Sequence, residues 1–117
     1  MAQSIRFPIR GINGRHRHNF NWPVIRSRQA VVHITAAEII PGGVSEVIGP
    51  NGTTEQDYMY NLGDANVWVS NVSPHFNDHF SGEAGGVEFI VNVDFPSPID
   101  VAVTITVEDQ TPVEVQN

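Results

Sequence analysis

The chain has no cysteine and no lysine. The first absence excludes disulfides, thiol nucleophiles and any cysteine-ligated metal or cluster. The second leaves arginine as the only strong cation, a planar fork suited to fixed docking on carboxylates rather than to loose attraction. No apolar run approaches the roughly 18 residues of a membrane-spanning helix. Residues 1–8 (Met-Ala-Gln-Ser-Ile-Arg-Phe-Pro) lack the apolar stretch of a secretory signal. No targeting motif marks a compartment, so the localisation is left unknown. Charged residues make up only 16% of the 117, yet 40% are hydrophobic, which is too apolar for a disordered chain. That length gives one domain with one modest core.

What charge there is lies segregated. All six arginines, Arg6, Arg10, Arg15, Arg17, Arg26 and Arg28, fall within residues 1–28, a stretch without an acid. All thirteen acids follow, from Glu38 to Glu114, and the net charge is −7. Such asymmetry signals a segment that meets a surface of opposite sign. The nearest such surface is the acidic remainder of the same chain or of an identical neighbour. Nucleic acid is the other reading of a basic segment. The acidic remainder would repel phosphate, however, and Phe7, Ile9, Ile12, Phe20, Trp22, Val24 and Ile25 between the arginines call for burial against protein. No nucleic-acid partner is therefore expected.

Period-two alternation points to strands. In residues 87–95, Val87, Phe89, Val91, Val93 and Phe95 alternate with Glu88, Ile90, Asn92 and Asp94. In residues 99–108, Ile99, Val101, Val103, Ile105 and Val107 alternate with Asp100, Ala102, Thr104, Thr106 and Glu108. Pro96-Ser97-Pro98 between them reads as the tight connection of an antiparallel hairpin. Residues 29–40 form a long strand ended by Pro41-Gly42-Gly43. Further strands are expected at Val44 to Ile48, Asp57 to Asn61 and Ala65 to Val72, with a short terminal one at Val113 and Val115. Ile5 to Ile9 is an edge strand, since Pro8 cannot donate to a ladder. Trp68, within a strand, is assigned to the core. Residues 10–23 and 73–86 read as the two long loops. The expected fold is all-β: a single antiparallel β-sandwich or jelly roll (residues 29–117) led by an extended basic N-terminal arm (residues 1–28).

Chemistry-bearing clusters are few. His16 and His18, with His75 and His79, form a candidate metal set on the two loops. Arg15 and Arg17 beside the first pair disfavour a cation, and no cofactor is expected. A calcium loop at Asn77, Asp78 and Glu83 lacks the EF-hand spacing. Aromatics beside amides, Asn21 and Trp22 in one loop and His75, Asn77 and Asp78 in the other, form a candidate glycan site. There is no nucleophile elbow, and Gly42-Gly43 and Gly85-Gly86 lack the lysine of a phosphate loop. The sequence thus indicates a non-enzymatic structural subunit that self-assembles into a homo-oligomer or larger array, in the manner of virion decoration, tail or filament proteins. Its assembly residues would be Arg6, Phe7, Ile9, Arg10, Arg15, Arg17, Phe20, Trp22, Arg26 and Arg28. A carbohydrate-binding module is the alternative.

Overall fold

Alternating apolar residues build two antiparallel sheets around one hydrophobic cluster. The structure, a computed structural model, describes residues 2–76 and 85–117. Among them run β1 (Gln3–Ile12), β2 (Gly14–Asn21), β3 (Val32–Ile48), β4 (Thr54–Tyr60), β5 (Asn66–His75), β6 (Gly86–Asp94) and β7 (Ile99–Val107), with a single 3-10 turn at Pro50–Gly52. One sheet has the order β1-β7-β3-β4, the other β2-β6-β5. Every pairing is antiparallel. The all-β expectation holds. No helix among the described residues is long and apolar enough to cross a membrane.

The centre of each sheet is one of the two strongly alternating segments. Val87, Phe89, Val91 and Val93 of β6 share a buried cluster with Val101, Val103, Ile105 and Val107 of β7. Ile5, Phe7 and Ile9 of β1, Ile34 of β3, Val67 and Val69 of β5 and Phe20 of β2 pack around it. Side-chain alternation sends the remaining residues of each strand to the outer faces.

Several expectations are corrected. β6 and β7 are not a hairpin; they lie in different sheets, and residues 95–98 carry the chain from one to the other. The two prolines at 96 and 98 cannot donate to a hairpin ladder, so the alternation held while the pairing did not. Most of the segment expected as an arm, residues 3–21, is not thrown off the body. Residues 3–12 pair with β7 and residues 14–21 with β6. The expected loop over 10–23 is therefore largely strand, with Asn13 alone between β1 and β2. Gly11 and Gly14 flank that corner at φ 64° and 79°, backbone that other residues rarely adopt. β3 does not stop at Pro41 but runs on through a bulge between Ile39 and Val44. Residues 113 and 115 form no strand and are exposed. Trp68 is not core; it is 48% exposed.

β3 serves two sets of partners. Residues 32–39 pair with β7, whereas residues 39–48 pair with β4. The second half leaves the central cluster as a two-stranded ribbon. The radius of gyration is 16.1 Å, above the about 13 Å of a close-packed chain of this length.

Candidate assembly surface

The first two strands carry four of the six arginines, Arg6 and Arg10 on β1 and Arg15 and Arg17 on β2; Arg26 and Arg28 follow β2. Arg6 lies on the outer face of its sheet. Its Nε donates to Thr104 Oγ1 at 2.7 Å, and its Nη1 meets Asp57 of β4 at 3.2 Å. Its guanidinium carbon also stands 5.8 Å from the centre of the Tyr60 ring. A cleft of about 380 Å³ lies there, lined by Arg6, Val44, Glu55, Gln56, Asp57 and Tyr58. Arg10 Nη1 meets Asp100 Oδ2 at 3.2 Å, while Asp100 Oδ1 accepts the Gly11 backbone N–H at 2.8 Å. Arg17 Nη2 meets Glu88 Oε2 at 2.8 Å. Three arginines of the leading segment therefore grip the chain's own carboxylates. Arg15, Arg26 and Arg28 make no ion pair among the described residues. The Arg26 backbone N–H donates to Gln110 Oε1 at 2.8 Å.

The apolar residues of the same segment are used within the chain. Phe7, Ile9, Phe20 and Trp22 all pack against the central cluster. Each is only partly buried there, because β1 and β2 belong to the sheets.

On β2 the alternation is polar on both sides, which hid it in the sequence. Arg15, Arg17, Asn19 and Asn21 are exposed; His16, His18 and Phe20 are half-buried on the side facing the cluster. His18 stacks on Phe89 with centroids 5.7 Å apart and lies 6.4 Å from His16. His16 Nε2 bonds to the Asn13 carbonyl at 2.6 Å. His18 Nε2 is buried without a partner. Burial, and then the nearby His16, hold the His18 imidazole below its ordinary value.

His75 points the other way. Its Nε2 bonds to Asn19 Oδ1 at 2.7 Å, and Asn19 Nδ2 donates to Asn21 Oδ1 at 3.1 Å. Asn19 and Asn21 alternate with His18 and Phe20, so His75 lies on the outer face and His16 and His18 on the inner one. The described members of the metal set, His16, His18 and His75, do not converge, and among the described residues no three His, Asp or Glu side chains could hold an ion. His79, Asn77 and Asp78 lie outside the described residues.

The glycan candidates Asn21 and His75 are brought together through Asn19, but Trp22 turns to the core. The outer face of the β2-β6-β5 sheet carries what the sequence reading missed. Register aligns Arg15 with Asn92 and Trp68 in one row across the three strands. Asn92, buried, donates to Ser70 Oγ at 3.0 Å and to the Trp68 carbonyl at 3.3 Å. Next to this row, Arg15, Arg17, Asn71, Ser73 and Glu88 line a shallow depression of about 310 Å³.

Comparison with known proteins gives no relative to reason from. No family model, curated protein or solved structure matches the chain.

Proposed function

We propose that the protein is a non-enzymatic structural subunit, a β-sandwich that self-assembles into a homo-oligomer or larger array of the decoration or filament kind. The ribbon formed by the end of β3 and by β4 supports this reading most. It exposes Ile40, Val44, Val47, Ile48, Met59 and Tyr60, each at least 39% accessible. Two-stranded ribbons are marginal in water on their own, and this one leaves large apolar side chains in water on both of its faces. The ribbon is also acidic through Glu46, Glu55 and Asp57, whereas β2 presents arginines. Arginine–carboxylate pairs across such a contact set orientation more than raw affinity.

Light scattering over a range of protein concentration and salt tests the reading. The expected result is a species heavier than the 12.9 kDa chain that shrinks as salt screens the contact. A monomer under every condition overturns it.

The exposed Trp68 favours a second reading, a carbohydrate-binding face. The indole offers a flat apolar surface for sugar C–H groups, and Arg15 in the same row offers donors for hydroxyls. Retention on a glycan array, lost in Trp68→Ala, supports it; no retention removes it.

A further inference from the structure

We infer that the contact between copies is an edge-strand addition, in which β4 of one molecule pairs with β2 of the next. This rests on the self-assembly reading and names the two surfaces that meet. Among the described residues four strands end the two sheets: β1 and β4 in one, β2 and β5 in the other. An open edge is a template for another chain, and proline blunts it. β1 carries Pro8 and β5 carries Pro74, whereas β2 and β4 carry no proline.

These two unblunted edges bear opposite charge with the same repeat. Arg15 and Arg17 stand two residues apart on one side of β2; Glu55 and Asp57 stand two residues apart on one side of β4. Side chains alternate with period two, so β4 laid parallel to β2 with Glu55 opposite Arg15 sets Asp57 opposite Arg17 on the same side. Asp57 already engages Arg6 of its own body. Glu55 and Arg15 have no ion-pair partner among the described residues and are the pair the contact completes. On the other side of the added strand, Gln56 and Tyr58 fall beside His16 and His18, where His18 Nε2 lacks a partner. Exposed Val47 and Ile48 on the neighbouring ribbon strand add apolar area.

The alternatives with equal edges are disfavoured by charge. β2 against β2 opposes arginines to arginines, and β4 against β4 opposes acids to acids. The contact therefore joins two different surfaces, and such head-to-tail contacts close into rings or extend into filaments.

The test is a charge exchange between copies. Two variants, Arg15→Glu and Glu55→Arg, are each followed by light scattering, alone and mixed one to one. Each alone meets like charge at the contact, so its midpoint concentration for assembly rises about tenfold or more. In the mixture each altered edge finds its complement, and assembly returns to within about threefold of the parent. A misfolded variant could not be restored by mixing. If the parent assembles and either variant assembles equally well alone, or the mixture fails to recover, the β2–β4 contact is wrong while self-assembly stands. If the parent never assembles, self-assembly itself falls.

Discussion

Phe7 of β1 and Phe20 of β2 stack with centroids 4.9 Å apart and planes 21° apart, one ring from each sheet. Trp22 leans on Phe20 at 6.2 Å. The stack makes the first two strands a clasp on one side of the core. Phe20→Ala should therefore destabilise the isolated chain. The ring is half-buried, so the expected loss is about 2–3 kcal/mol, below the about 3–5 of a fully buried phenylalanine. Urea unfolding at a concentration where the chain is monomeric reads it. An unchanged midpoint would mean that the clasp contributes nothing within one copy.

Two kinds of glycine should respond differently to alanine. A Cβ on Gly85 would collide with the Ile25 carbonyl oxygen, and one on Gly86 with the Phe20 carbonyl oxygen. Trp22 N–H bonds to the Gly85 carbonyl at 2.8 Å, so the backbones cannot part freely. Gly85→Ala should cost about 1–3 kcal/mol through overpacking. Gly14 has open space around it but φ 79°. Gly14→Ala should cost about 1–2 kcal/mol, all of it from the backbone. Thermal unfolding of both variants checks the values, and Gly14→Asn separates the causes. Asparagine tolerates the left-handed region, so it should recover part of the loss at 14 and none at 85.

These glycines also show where the sequence stops being legible. Alternation located β6 and β7 to within a residue because their inner positions are apolar and their outer ones mostly polar. It could not say which strands they pair with, since pairing depends on contacts far apart in the chain. β2 went unread because both of its sides are polar or aromatic. The signal was present as Arg15, Arg17, Asn19 and Asn21 alternating with His16, His18 and Phe20, but histidine does not count as apolar in a periodicity search. The segregation of the arginines is legible in the sequence, but the partners of Arg6, Arg10 and Arg17 are not. Their partners Asp57, Glu88 and Asp100 lie 51, 71 and 90 residues away in sequence. Only the sheet register brings them together.

His18 should make stability fall in acid. Its folded-state pKa lies below the ordinary 6.5 because protonation would charge a ring held against Phe89. Between the two values the unfolded chain binds a proton that the folded chain does not. Stability therefore declines as pH drops below about 6.5 and levels off once the folded form also protonates. His18→Phe keeps a ring against Phe89 and removes the titration. Its melting temperature should fall less between about pH 7.5 and 5 than that of the parent. Equal slopes in the two proteins would assign the acid sensitivity to other groups.

The ribbon should be held to the body by weak polar contacts, among them the pairing of Arg6 with Asp57. The Arg6–Asp57 pair is exposed, with 41% and 34% of the two side chains accessible. Exposed pairs of this kind contribute about 0–1 kcal/mol. Asn61 adds two bonds, its N–H to the Glu38 carbonyl at 3.0 Å and its Nδ2 to Glu38 Oε2 at 2.7 Å. Arg6→Ala should leave global unfolding nearly unchanged, because the cluster around Val103 and Ile105 does not involve the arginine. Amide exchange should instead speed up over residues 54–60, since a locally opening element responds to its own few contacts and not to the core. Asp57→Asn should act in the same direction and more weakly, because the amide can still accept from the guanidinium. If exchange over 54–60 stays at parent rates in Arg6→Ala while that over β7 accelerates, the arginine supports the sheet and not the ribbon.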